Sequence, residues 1–212
     1  MDGVVGAFLG VLAIGVFFII CLVMYWIGTY NKLVGLRQNV EESWSAVETE
    51  LRRRYDLIPN LVETVKGYAS HEKETLESVV QARNSGMKSL NSPAEAELAN
   101  KDFSLALGRL LSITEAYPQL QANDNFKNLQ RELSDTETNI SRARRFYNAN
   151  VKDLNTAVEM FPSNIVANHS GFTKRVYFGI DNPDAFEAPK LSFSAGSDEG
   201  VKIKLKETEK TE

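Results

Sequence analysis

An apolar run from Val4 to Ile27, 24 residues without a charged side chain, limits what this chain can fold into more than any other feature. As a helix it spans roughly 36 Å at ~1.5 Å per residue. The hydrocarbon core of a bilayer, about 30 Å thick, takes ~20 such residues to cross. The run therefore predicts a transmembrane helix at 4–27 behind a short external tail at 1–3. A cleaved leader fits less well, because the run ends in Tyr25-Trp26-Ile27-Gly28-Thr29 and not in a small-residue cleavage site. Tyr25, Trp26 and Tyr30 are the ring types that settle at headgroup level. Gly6 and Gly10 form a small-xxx-small pair that lets two helices approach closely. Lys32 and Arg37 come after the run and no Lys or Arg precedes it, which predicts a cytoplasmic position for everything beyond the anchor. The lone cysteine, Cys21, lies inside the run, so the remaining chain cannot form a disulfide.

The chain beyond the anchor is long enough for one domain. It holds all 24 Lys and Arg and all but one of the 28 acids, a slight acidic excess. Nucleic-acid binders carry a basic surplus or stripe, so no nucleic-acid partner is expected. The concentrated arginines, Arg52–Arg54 and Arg142/Arg144/Arg145, fall inside helical patterns. They read first as solvated faces and inter-helix ion pairs, and second as a patch for anionic lipid or a partner.

From Leu33 to Ala69 apolar residues recur every three or four positions, through Leu36, Val40, Trp44, Val47, Leu51, Tyr55, Ile58, Val62 and Val65. That spacing is one face of an α-helix. Pro59 interrupts it, since an interior proline removes a hydrogen bond and clashes with the turn before it. Asp56 is placed to cap a second helix, so a turn or strong kink is predicted at Asp56–Pro59. The second helix is predicted to stop at Asn84-Ser85-Gly86. Ser92-Pro93-Ala94-Glu95 has the form of a capping box and starts a third helix ending near Pro118. Asn123 or Asp124 caps a fourth, whose stripe runs through Phe126, Leu129, Leu133, Thr136, Ile140, Ala143, Tyr147, Asn150, Leu154, Ala157 and Phe161 to a stop at Pro162. Its 3-4 alternation is the heptad pattern of coiled-coil packing. Short connections between such helices predict an all-α fold, an antiparallel up-and-down four-helix bundle. Lys174–Phe178 has weak strand character, and Phe172, Tyr177, Phe178 and Phe186 are expected to pack over the bundle. Residues 194–212 are polar and read as a disordered tail.

No catalytic constellation is present in the sequence. His71-Glu72-Lys73-Glu74-Thr75 opens like a zinc-protease helix, but Thr75 stands where the second metal-binding histidine would be needed. His169 is the other histidine and falls in a predicted loop. Phosphate-cradling glycine motifs and the nucleophile elbow are absent from the sequence. Asn139-Ile140-Ser141 and Asn168-His169-Ser170 match the glycosylation formula only. No catalytic, cofactor-binding or metal residue is therefore assigned.

Tyr30-Asn31-Lys32-Leu33-Val34 and the run Arg52 to Glu72, which contains Arg-Arg-Tyr-Asp-Leu-Ile-Pro-Asn-Leu, resemble the bacterial LemA family. Ala82-Arg83, Arg142-Ala143-Arg144-Arg145-Phe146-Tyr147-Asn148, Asn155, Phe161-Pro162-Ser163-Asn164 and Phe186-Glu187-Ala188-Pro189-Lys190 extend the likeness to about 30–193. The resemblance implies one N-terminal membrane helix, a helical bundle and no enzyme activity. Some relatives are tied to membrane-organelle formation or membrane proteostasis. The expectation is a non-enzymatic scaffold in the bacterial inner membrane, held by lipid contacts of one helix. It would self-associate and engage a membrane protein complex. The alternative is a lipid-surface or membrane-shaping module.

Overall fold

The structure, a computed structural model, describes residues 2–179. The expectations for Phe186 and for 194–212 lie outside the described residues. Among the described residues the regular elements are helices: α1 (Asp2–Asp56), α2 (Ile58–Lys66), α3 (Lys73–Ser89), α4 (Pro93–Thr114), α5 (Pro118–Ala122), α6 (Asp124–Glu159) and α7 (Ser163–His169).

The anchor and the first bundle helix are one element. α1 has 55 residues, roughly 80 Å of helix at ~1.5 Å per residue, and passes through Gly28-Thr29 without a break. Its first part meets the length and composition of a membrane span. From Leu12 to Gly28 the side chains are exposed, Phe17 at 67% and Met24 at 70%. From Leu33 onward the same helix buries its stripe, with Leu33, Val40, Val47, Leu51 and Tyr55 at the core.

α6 runs back along α1 in the opposite direction. Arg54 meets Glu137, Trp44 meets Tyr147, and Asn150 reaches Asn39. α3 and α4 form a second antiparallel pair through the turn before Ser92. The Ser92 hydroxyl caps α4 by accepting from the Glu95 amide, with Pro93 at the first helical position. Asn123 caps α6, its side-chain oxygen accepting from the Phe126 amide at 3.1 Å.

The chain reversal expected at Asp56–Pro59 lies elsewhere. Leu57 keeps right-handed helical angles, and α2 continues along α6 in the direction of α1. The chain turns instead at 67–72, where the exposed His71 lies. Pro59 is accommodated because its missing N–H is compensated from another helix. The carbonyl four residues back, on Tyr55, accepts from Arg83 Nε at 3.2 Å. Arg83 also reaches Asp56 at 3.6 Å. Asp56 is thus an ion-pair partner and not the cap expected of it; Leu57 holds the cap position without a side-chain bond.

The stop expected at Asn84-Ser85-Gly86 is also absent, and α3 runs on to Ser89. Gly86 serves packing. A Cβ placed on it would lie 2.5 Å from Cζ of Tyr55, so the bare backbone makes room for that ring.

Candidate functional site

Two constellations organise the described residues, and both sit where α1, α4 and α6 converge. The first is built on Arg54, a single arginine of the Arg52–Arg54 run. Arg52 pairs with Glu48 one turn away, and Arg53 is exposed. Arg54 faces inward and is only 6% exposed. Its guanidinium lies 4.9 Å from the centre of the Phe103 ring, 3.2 Å from Asn100 Oδ1, 3.3 Å from Ser104 Oγ and 3.0 Å from Glu137. One side chain thereby joins three helices. Burial pulls its pKa down, and the neighbouring Glu137 carboxylate opposes that pull. Arg54→Ala is expected to cost about 2 kcal/mol, since it removes a buried stem, a ring contact and charge-assisted hydrogen bonds. Arg53→Ala should stay within about 0.5 kcal/mol, and denaturant titration of both variants checks the contrast.

Beside it, Tyr55 is fully buried and packs edge-on against Phe103 at 4.9 Å. Its hydroxyl is buried without a hydrogen-bond partner, and burial raises the phenol pKa. Tyr55→Phe removes an unsatisfied polar atom and keeps the ring. It is expected to leave stability unchanged or raise it by up to about 1 kcal/mol, read from the same titration.

The second constellation is a strap. After α7 the chain runs extended from Phe172 to Gly179 across the α1–α6 face. Among the described residues Lys174–Phe178 has no strand partner; side chains of α6 bond its backbone instead. Asn155 Nδ2 donates to the Arg175 carbonyl and its Oδ1 accepts from the Arg175 amide, at 2.9 and 2.8 Å. Asn148, one heptad earlier, does the same for Phe178, at 2.9 Å in both directions. Tyr147 donates its hydroxyl to the Val176 carbonyl at 2.9 Å. Burial pushes that phenol up to about 12, so it stays protonated and remains a donor. Trp44 packs edge-on against both Tyr147 and Phe178 and donates Nε1 to the Leu90 carbonyl. The strap ends with the Gly179 amide donating to the Glu97 carboxylate. Gly179 has φ +72, a left-handed conformation that favours glycine, and the Arg144 side chain packs over it.

The strap explains where the heptad reading of α6 fails. Asn148, Val151, Asn155 and Val158 are buried beside the expected stripe, because the strap covers a second face. Phe161, placed on the stripe, is 75% exposed. An asparagine one heptad from another, within a buried face, was the available signal.

The zinc-like sequence at His71 is not assembled into a site. His71 is in an exposed turn, while His169 closes α7 against Trp26 with ring centres 5.2 Å apart. Among the described residues no three metal-ligating side chains converge. The surface hollows are shallow; one of about 430 Å³ lies between α2 and α6, lined by Asn60, Glu63, Asn125 and Glu132.

The family model for LemA matches residues 43–193 of this chain. The chain belongs to the LemA family. The match begins just before Trp44 and takes in both constellations; the anchor and the Tyr30–Val34 likeness lie before it. Among curated relatives, the magnetosome protein MamQ of Magnetospirillum gryphiswaldense is 27% identical over 192 residues, covering 79% of this chain and 71% of the relative. Magnetosome protein MamQ 2 of Paramagnetospirillum magneticum is 24% identical over 192 residues with the same coverage. Protein LemA of Metamycoplasma hominis is 25% identical over 158 residues, covering 74% of this chain and 69% of the relative. As a LemA-family protein with a long apolar helix ahead of its helical domain, the chain is read as membrane-associated.

Proposed function

We propose that this LemA-family protein is a non-enzymatic scaffold that holds a rigid helical domain at a fixed height above the bacterial inner membrane and binds other proteins there. The observation that carries the reading is the continuity of α1, which leaves no hinge between the anchor and the core it builds. The self-association expected from the heptad helix needs another surface, because α1 and the strap cover that face of α6. The anchor offers one, where a Cβ on Gly10 would meet nothing within 4 Å. For other proteins, α4 presents Leu98 and Leu105, one heptad apart and 69% and 59% exposed.

The position of Arg52–Arg54 weighs against a lipid-surface module that works through that cluster. Arg52–Arg54 begins 25 residues along α1 from Ile27, about 38 Å at ~1.5 Å per residue. Screening at physiological salt confines surface attraction to about 8 Å. Headgroups of the anchoring membrane are out of that reach.

Crosslinking the full-length protein in its native membrane, followed by mass spectrometry, tests the scaffold. Self-crosslinks plus one recurrent membrane complex, the latter lost in a Leu98→Glu/Leu105→Glu variant, are expected. Strictly monomeric protein without a protein neighbour would sink the reading.

A further inference from the structure

We propose that α7 and the turn before it rest in the interface of the same membrane that holds the anchor, with Met160, Phe161 and Ile165 immersed among the headgroups and upper acyl chains. This goes beyond the scaffold reading and rests on one part of it, that the anchor crosses the bilayer.

Three independent observations converge. First, residues 160–173 form the longest stretch without Asp, Glu, Lys or Arg outside the anchor region. Nothing charged must be desolvated to bring it to a bilayer. Second, α7 is fixed at the level where the anchor leaves the membrane. His169 packs on Trp26, Phe172 on Tyr30 at 5.9 Å, and Met160 shares a hollow of about 350 Å³ with Thr29 and Lys32. Tryptophan and tyrosine at the end of a span mark the headgroup plane. Third, the side chains presented there are large, apolar and open. Phe161 is 75%, Met160 58% and Ile165 54% exposed, and Phe161 exceeds the 70% of Ile14 and Met24 in the anchor itself.

Large apolar side chains exposed together in this way mark a surface that meets a membrane or another protein. The neighbouring medium at this height is the bilayer, continuous with the surface that already contacts the anchor. A helix lying in the interface with its apolar side inward is a known way to meet a membrane. Here the anchor also holds it there, so the usual loss of translational freedom is already covered. The contact would fix the tilt and rotation of the whole domain.

The test uses full-length protein in phosphatidylcholine vesicles and nitroxide labels at single cysteines. Native Cys21 is labelled first. Phe161→Cys, Ile165→Cys and Leu105→Cys are then labelled separately in a Cys21→Ser background; all three positions are exposed, so the core is untouched. Relaxation by dissolved oxygen is compared with relaxation by a water-soluble nickel chelate. The labels at 161 and 165 are expected to favour oxygen severalfold more than the label at 105, with the Cys21 label deepest. A label at 161 as open to nickel as that at 105 would overturn the proposal while leaving the anchor intact. Shielding of 161 and 165 from both reagents would overturn it in favour of a second copy of the chain. A water-exposed Cys21 would overturn the anchor and the proposal together.

Discussion

Asn148→Ala is expected to destabilise the protein by about 3 kcal/mol, because it leaves both the N–H and the C=O of Phe178 buried and unpaired, each worth ~1–3 kcal/mol. The native amide satisfies both at 2.9 Å. The pair is shielded from solvent, with Asn148 5% and Phe178 1% exposed. Losing this clamp should also free the strap, so a protease cut between Phe172 and Gly179 should appear early in limited digestion. Asn150→Ala is the control. Asn150 is half-buried and makes one 3.5 Å bond to the Asn39 carbonyl. It should cost less than about 0.5 kcal/mol. Denaturant titration in micelles separates the two, and equal effects would mean the clamp is not what holds the strap.

Gly86→Ala and Gly108→Ala should move stability in opposite directions although both residues sit inside helices. An alanine in an open helical position gains about 1 kcal/mol over glycine. Gly108 is exposed in α4 and a Cβ there meets nothing within 4 Å, so this gain should be realised in full. At Gly86 the new methyl would stand 2.5 Å from the Tyr55 ring. That ring is fully buried between Gly86 and Phe103 and has nowhere to swing. Overpacking of this kind costs about 1–3 kcal/mol, which outweighs the helical gain. A net loss of up to about 2 kcal/mol is expected, measured as a shift in denaturation midpoint. A stabilised Gly86→Ala would show that α3 stands further from α1 than this contact requires.

Local pattern and distant partner contribute differently to this fold. Periodicity locates the buried face of α1, because the helical period is local and holds whatever packs on that face. Caps at Ser92 and Asn123 are legible for the same reason. Gly86 reads as a stop because a glycine needed for close approach looks like a glycine needed for a turn. Only Tyr55, 31 positions earlier, distinguishes them. Pro59 reads as the site of reversal, since its repair by Arg83 comes from another helix. The Asn148 and Asn155 clamps depend on an extended partner some 20–30 residues later, and no local pattern announces such a partner. Arg54 is one of three equivalent arginines until the fold places it opposite Phe103.

The apolar span and the core are joined by a single unbroken helix, and on this the scaffold reading stands. Double electron–electron resonance measures it directly on full-length protein in vesicles, with one label on native Cys21 and one on Arg53→Cys, both exposed. The 32 intervening steps along α1 correspond to about 48 Å at ~1.5 Å per residue. One narrow distance distribution near that value is expected. A broad distribution, or one centred well below it, would mean a hinge between anchor and core and would contradict a domain held at fixed height.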